Sequence, residues 1–452
     1  MTSTSPATPR VLSFAALFAA VAMATPVTAE PATADKATAD ATGEHPPRAL
    51  VELLRSAEEV NVEHRLTVEQ HRRASAEARQ AWMALLPSLS VQARWTHNQY
   101  EAQIPAGTFG PDPITLTPQN QLDVAARIDL PLIDTGKWIR ASAARSSARA
   151  AEARVALTLD QLRRGVITGW YAYAAALAVR QASNRSFRVA EAQRDLQEVR
   201  FANGTVPEID LLRAQAEVER NRQTIADATR LVELTRRSLS TLSGLDPGDD
   251  AHLPPVSLEP PANLETLEAR VDQLPVIAAA RHDVDGAEKM ASASRLSLVP
   301  TVNAQGTEQA SNATSFNGQS TTYALGVVLS WRIDAPLFAG MDVQSSSAEL
   351  ASLLLEKIRL QAKDQIHADW QSLKAAIIRV DSATAQVGAA QKACEFARTR
   401  YSLGAATQIE QIQAERDLFV AEVQKIQAES DLASARVSLQ LSAGIPIDEA
   451  TL

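Results

Sequence analysis

The sequence predicts a mainly α-helical protein with transmembrane β-strands, built from one structural unit that occurs twice. Two observations lead to this prediction. First, motifs recur at a constant offset: Phe-Ala-Asn-Gly at 201–204 returns as Tyr-Ser-Leu-Gly at 401–404, 200 residues later. Second, short amphipathic strands adjoin very long stretches without proline. A large repeat with long helices and two strands per copy is more typical of a tube than of a compact enzyme.

The composition excludes several classes of protein. The net charge is -9 over 452 residues, which gives no reason to expect nucleic acid as a partner, since nucleic acid favours basic proteins. A single cysteine, Cys394, rules out an internal disulfide. Only 4% of the residues are aromatic, which is low for a large globular core. These features suit an acidic protein that faces an aqueous compartment.

The N-terminus has the pattern of an export signal. Arg10 precedes an apolar run at 11–24, and Val-Thr-Ala at 27–29 is a suitable cleavage site, so residues 1–29 are predicted to be a signal peptide. Residues 30–47 have the composition of a disordered leader. No later window contains the roughly twenty consecutive apolar residues of a transmembrane helix.

Four segments alternate between apolar and polar residues, as β-strands with two different faces do. They are predicted at about 88–96, 121–130, 301–307 and 322–334. Strands of this length and pattern are typical of outer-membrane barrels, although a half-buried soluble sandwich also alternates. Aromatic residues near the strand ends indicate membrane interfaces. These residues are Trp95, Tyr323 and Trp331.

Four strands are too few to close a barrel across a bilayer, because the smallest single-chain barrels have about eight. An open edge in lipid would leave backbone groups without hydrogen bonds. If the strands span the membrane, further copies of the chain must therefore complete the wall.

Long helices are predicted at about 134–202 and 208–242 in the first copy, and at about 342–402 and 408–441 in the second. Apolar residues recur every seven positions along the return helices, which predicts coiled-coil packing. The first heptad comprises Leu211, Val218, Ile225, Val232 and Leu239. The two structural repeats are thus predicted at 48–244 and 274–446, joined by a connecting segment at 245–273 that is rich in proline.

An aromatic residue, a glycine three positions later and an acid six positions beyond it occur at both hairpin ends. In this pattern and in its strand-to-long-helix joints, the chain resembles the TolC-type outer-membrane efflux protein family. The resemblance implies a homotrimer with a shared 12-stranded β-barrel and a periplasmic α-helical coiled-coil barrel. It implies the cell outer membrane as the location, with the chain extending into the periplasm. It also implies partners: a periplasmic adaptor (membrane fusion protein) and, through it, an inner-membrane pump.

The hairpin ends carry the predicted site residues. Gly204 and Gly404, with Asn203 and Leu403, form the turns that are expected to contact the adaptor. The resemblance implies a periplasmic gate formed by Asp210, Glu410, Tyr401 and Thr407. The acids also have a local explanation, because a carboxylate in the first turn complements the helix dipole. Ala406 stands where an arginine can occur in the family, which puts a salt-bridged lock in doubt.

The predicted function is the outer-membrane channel component of a tripartite efflux or type I secretion system, a passive exit duct. The alternative is a periplasmic coiled-coil scaffold or adaptor without a membrane barrel. No catalytic constellation, cofactor motif or metal-ligand spacing is present in the sequence, so no enzymatic activity is expected. Drugs, metal ions, siderophores and polypeptides all remain possible cargoes.

Overall fold

The computed structural model describes residues 48–108, 111, 113–255, 257–313 and 319–446. The predicted signal peptide and leader, residues 1–47, lie outside the described part of the chain. The elements, in chain order, are α1 (Arg48–Val60), α2 (Val62–Met83), β1 (Ser88–His97), β2 (Ala102–Ile104), β3 (Ile114–Thr117), β4 (Asn120–Ile133), α3 (Thr135–Ala202), α4 (Glu208–Ser243), α5 (Leu264–Glu268), α6 (Pro275–Arg295), β5 (Thr301–Ser311), β6 (Thr321–Ser330), α7 (Ala335–Ser402) and α8 (Gln408–Ser442).

The two copies follow the same plan of helix, two long strands, long helix and return helix. The long helices α3 and α7 have 68 residues each, and the return helices α4 and α8 have 36 and 35. At 1.5 Å per residue the long helices each extend roughly 100 Å. Within the described residues, no helix combines the length and apolar composition needed to cross a membrane.

The four long strands form one antiparallel sheet in the order β1-β4-β5-β6. The repeats meet at its centre, where β4 pairs with β5, for example Arg127 opposite Thr307. The outer strands β1 and β6 each have a neighbour on one side only within the sheet. Between β1 and β4 the chain forms a small additional hairpin, β2–β3, which the sequence pattern did not predict.

The second copy departs from the predicted bounds at its strand-to-helix joint. Strand β6 ends at Ser330 rather than 334, and α7 begins at Ala335 rather than 342. Asp334 caps this helix by accepting a hydrogen bond from the Leu337 amide at 3.2 Å. Pro336 fits the first turn, where its missing amide hydrogen costs nothing. Strand β5 also continues to Ser311, beyond the predicted 307.

Pro131, the counterpart of Pro336 in the repeat, has a different position. It lies inside β4, where the pairing with β5 is irregular between Pro131 and Ile133. A proline inside a sheet removes a ladder hydrogen bond and is tolerated at such irregularities. The two prolines therefore match in sequence but not in structure.

Asn61 separates α1 from α2. The Asn61 side chain accepts hydrogen bonds from the amides of Glu63 and His64 and so caps α2. Its Nδ2 also donates to the Leu242 carbonyl at 3.2 Å, which fixes the break against the end of α4.

Each repeat has an apolar core. The first-repeat core, around α1, α3 and α4, contains the buried side chains of Leu50, Trp170, Tyr173 and Leu239, and Val437 of α8 packs into it. Burial raises the pKa of Tyr171 in this core to about 12. The second-repeat core joins α5, α6, α7 and α8 around Ile277, Ile366, Leu373 and Ala376.

Candidate functional site

The two hairpin ends are built in the same way. Gly204 and Gly404 have φ angles of 69° and 73°, in the left-handed region. The amide three residues beyond each helix bonds back to its last turn: Thr205 N to Arg200 O at 2.9 Å, and Ala405 N to Arg400 O at 2.8 Å. A Cβ added to either glycine would meet nothing within 4 Å. Glycine is therefore needed here for its backbone conformation and not for space.

The return helices begin differently in the two hairpins. Thr407 and Glu410 form a capping box, in which each side chain bonds the backbone amide of the other residue. Glu410 also lies 3.8 Å from Arg400. Pro207 provides no side-chain cap to α4, and Asp210 instead lies 3.4 Å from Arg213 in the next turn. The two predicted gate acids thus have different local partners.

Tyr401 joins the second hairpin to the first. Its hydroxyl oxygen accepts hydrogen bonds from Gln197 Nε2 at 2.8 Å and from Arg200 Nη1 at 3.2 Å. The Arg200 guanidinium lies 5.4 Å from the centroid of the Tyr401 ring. Gln408 Nε2 also donates to the backbone carbonyl of Asp210 at 3.0 Å. Of the four predicted gate residues, the structure brings Thr407 and Glu410 together, and it connects Tyr401 to α3.

Further polar contacts between the hairpins lie along α3, α4 and α8, on the side of the turns that faces the apolar cores. The amides of Gln193 and Gln411 bond each other at 3.3 and 3.4 Å. Arg416 Nε donates to both carboxylate oxygens of Glu217 at 3.0 and 3.1 Å, and Asn221 donates to the same carboxylate. The hydrogen bonds that Arg416 donates to Glu217 raise the pKa of the Arg416 guanidinium. We call these contacts, together with those of Tyr401 and Gln408, the tip interface.

The tip interface was not identified from the sequence. The heptad of α4 predicts a buried face, and Val218, Val232 and Leu239 are indeed buried. Asn221 and Glu217 occur on or beside this face, and a buried polar residue in a coiled coil usually has a specific partner. The two polar residues on or beside the buried face therefore indicate a polar contact. The sequence does not say which side chain of another helix meets them.

The sequence itself decides the family. The profile of the outer membrane efflux protein family matches residues 63–245 and 269–445, one stretch in each repeat. The chain belongs to this family. It is an outer-membrane channel of efflux systems, and both its family and its structural relatives are channels rather than enzymes. The resemblance drawn from the sequence is confirmed. A comparison with functionally curated proteins found no significant match.

Solved outer-membrane channels share the fold of this efflux protein. The CmeC outer membrane channel of Campylobacter jejuni has a TM-score of 0.76 at 16% identity, over 89% of this chain and 88% of that one. VceC of Vibrio cholerae has a TM-score of 0.74 at 18% identity, over 87% and 96%. The open state of MtrE from Neisseria gonorrhoeae has 0.72 at 19%, over 88% and 89%. At these identities the similarity concerns the fold, and it confirms the predicted fold class of the chain.

The three aromatic residues predicted at membrane interfaces of the efflux protein occur at both ends of its sheet. Trp95 and Tyr323 lie near the end that is remote from the long helices, and their side chains are 66% and 81% exposed. Trp331 follows β6 at the helical end, and its Nε1 donates to the Leu298 carbonyl at 3.0 Å. In the part of the chain that the structure describes, no group of three or more His, Cys, Asp or Glu side chains could hold a metal ion.

Proposed function

We propose that this efflux channel works as a homotrimer, with a shared 12-stranded β-barrel in the outer membrane and an α-helical barrel in the periplasm. It would serve as the passive exit duct of a tripartite efflux or type I secretion system. The observation that carries this proposal is the four-stranded sheet, whose outer strands β1 and β6 each have one edge without a neighbour among the described residues.

Both outer strands expose apolar side chains along their length. Leu325, Val327 and Leu329 of β6 are 64–80% exposed, and Leu89 and Val91 of β1 are 57% and 67% exposed. An apolar face of this kind suits lipid, but an unpaired strand edge in lipid costs several kcal/mol per backbone group. Pairing β6 of one copy with β1 of the next removes both edges, and three copies supply twelve strands.

The helical end would then extend into the periplasm, with the Gly204 and Gly404 turns at its tip. Asn203, Gly204, Leu403 and Gly404 are all exposed there. We infer that these turns contact the periplasmic adaptor and, through it, an inner-membrane pump. Leu403 is 77% exposed, which gives the adaptor an apolar contact next to the turn.

We also infer that Asp210 and Glu410 line a periplasmic gate, with Tyr401 and Thr407 holding the surrounding helices. Three copies would place up to six carboxylates around one aperture, and acidic rings favour cations. The capping role of Glu410 is compatible with this, because its side chain is half exposed while it caps α8.

Cell fractionation tests the trimeric duct. We expect the mature protein in the outer membrane, extracted only by detergent, and running at three times the mass of one chain. Cysteines placed in β1 and β6 should form disulfides between copies, because the two strands become neighbours only in the oligomer. A monomer recovered without detergent would contradict the proposal and would favour the periplasmic scaffold.

Single-channel conductance tests the gate, with Asp210→Asn combined with Glu410→Gln. The second change keeps the helix cap, because glutamine also fits the capping box. We expect loss of cation preference and of block by divalent cations. The matched control is Glu219→Gln with Asp227→Asn, two exposed acids of α4 away from the turn. Unchanged selectivity in the gate variant would refute the role of these two acids.

A further inference from the structure

An apolar groove lies at the joint between the helices and the sheet of the first repeat. It has a volume of about 560 Å³ and runs between α2 and α3. Trp82, Met83 and Leu86 form its apolar wall, and Arg79 and Arg145 flank it. Met83 ends α2 five residues before the first strand, and α3 begins two residues after the fourth. The groove therefore lies directly beside the proposed membrane segment.

The surface around the groove is basic. The first twenty residues of α3 contain five cationic side chains and one acid, whereas the first twenty of α7 contain two acids and no cation. The two repeats therefore present opposite charges at the same distance from the sheet. The duplicated fold does not require this difference, because the helices α3 and α7 have the same length and position in the plan.

Arg79 and Arg145, the two arginines at the groove, have no acidic partner within salt-bridge distance among the described residues. Arg72 and Arg73 on the same helix pair with Glu69 and Glu77. The guanidinium of Arg145 lies 4.7 Å from the centroid of the Trp82 ring. That contact is a cation–π interaction, which leaves the donors of Arg145 free to bind an anion.

The indole rings fix the shape of this groove. Trp82 and Trp138 pack edge to face with their centroids 5.4 Å apart, so α2 and α3 are held together by an aromatic contact. The Trp138 side chain remains 53% exposed, and Met83 and Leu86 are 62% and 61% exposed. Amphipathic indole rings at a membrane boundary favour the headgroup region. The groove thus offers apolar contacts next to free cations, at the level of lipid headgroups.

We propose that this groove binds an anionic phospholipid of the inner leaflet of the outer membrane. The phosphate accepts hydrogen bonds from Arg79 and Arg145, and one acyl chain lies against Trp82, Met83 and Leu86. Arginine suits the phosphate because its planar guanidinium donates two parallel hydrogen bonds. The site goes beyond channel activity and rests on the proposed placement of the sheet in the outer membrane. It would fix the depth of the first repeat in the bilayer.

Native mass spectrometry of the detergent-solubilised full-length trimer tests the proposal, with phosphatidylglycerol and phosphatidylcholine as probes. We expect the wild-type trimer to retain phosphatidylglycerol roughly tenfold better, since each basic residue near the surface adds to the attraction for anionic lipid. Arg79→Gln with Arg145→Gln should abolish this preference. The matched control, Arg72→Gln with Arg73→Gln, removes the same charge from exposed positions of α2 and should leave the preference unchanged.

Equal retention of the two lipids by the wild type would overturn the proposal. It would also be overturned if the two double variants lost the preference for phosphatidylglycerol to the same extent. A disulfide between copies through Met83→Cys would also overturn it, because it would show that a second copy covers the groove. The same spectra report the trimer mass. An absent trimer would contradict the proposed duct, whereas a trimer without lipid preference would contradict the lipid site alone.

Discussion

The two hairpins meet in different ways along their length. Near the first-repeat core α3 and α8 meet through apolar side chains and one hydrogen bond, from Arg164 Nη2 to the Ser438 carbonyl. Val437 of α8 belongs there to the same apolar cluster as the fully buried Trp170 and Tyr173 of α3. At the tip interface the two hairpins meet through amides, a phenol and an ion pair, as in the hydrogen bonds between Gln193 and Gln411 and from Gln197 of α3 to Tyr401 of α7.

This difference makes the apolar core the more stable contact between the hairpins and the polar tip interface the more mobile one. A fully buried large apolar side chain contributes about 1.5–3 kcal/mol, and water provides no substitute for its contacts. A hydrogen bond between polar groups contributes about 0.5–1.5 kcal/mol net, because water replaces it when the groups separate. The core therefore holds the hairpins together, while the tip interface allows them to separate at a lower cost than the core does. A groove of about 430 Å³ between α3, α4 and α8 gives the tip side chains space to rearrange.

The largest effect is expected in the core, from Trp170→Ala. Removing this fully buried ring should lower stability by about 3–5 kcal/mol, seen as a lower thermal midpoint of the detergent-solubilised trimer. Trp170→Phe should cost much less, because the indole N–H of Trp170 makes no hydrogen bond within the described residues. If the alanine variant melted like the wild type, the core would not be the part that holds the hairpins together.

An intermediate effect is expected at the ion pair of the tip interface. The Glu217 side chain is only 12% exposed, so Arg416→Gln leaves a carboxylate largely buried without its cation. We expect the free energy of local opening at the tip, measured by hydrogen exchange, to fall by about 2–4 kcal/mol. Combining it with Glu217→Gln should recover much of this loss, because no buried charge then remains unpaired.

The control for this ion pair is Arg185→Gln, which breaks a 3.4 Å pair with Glu422 whose arginine is 62% exposed. An exposed pair contributes at most about 1 kcal/mol. Equal effects at the two pairs would show that burial does not decide the strength of the tip interface.

The sequence predicts the long elements of this fold well, because their signals are strong and local. Proline-free runs, heptads and duplicated glycine turns give α3, α4 and α8 within one or two residues of their ends. The sequence does not locate the start of α7 correctly, because a proline such as Pro336 suits both a strand end and a first helical turn. The deciding contact there is the helix cap that Asp334 forms with the Leu337 amide in the folded chain.

The candidate site is predictable to a smaller extent. The residues of each turn follow from local rules, since a positive φ requires glycine and the Thr407 and Glu410 spacing indicates a capping box. The partners of Tyr401 do not follow, because Gln197 and Arg200 lie about 200 positions away in the other hairpin. A polar contact across helices depends on their relative rotation, and a heptad defines that rotation only to the nearest face.

The smallest effect is expected at the turns. Gly404→Ala forces an alanine to a φ angle near 73°, which costs about 1–2 kcal/mol, although space for the methyl group is free. Gly204→Ala should cost the same, because its φ angle and surroundings match. Hydrogen exchange should then accelerate at the altered turn alone, while the core keeps its protection.

The matched control is Gly388→Ala in the middle of α7, where a methyl group also meets nothing and should stabilise the helix by about 0.5–1 kcal/mol. Faster exchange in the core of either turn variant would show that the tips and the core open as one unit, and the contrast between them would then have no functional meaning.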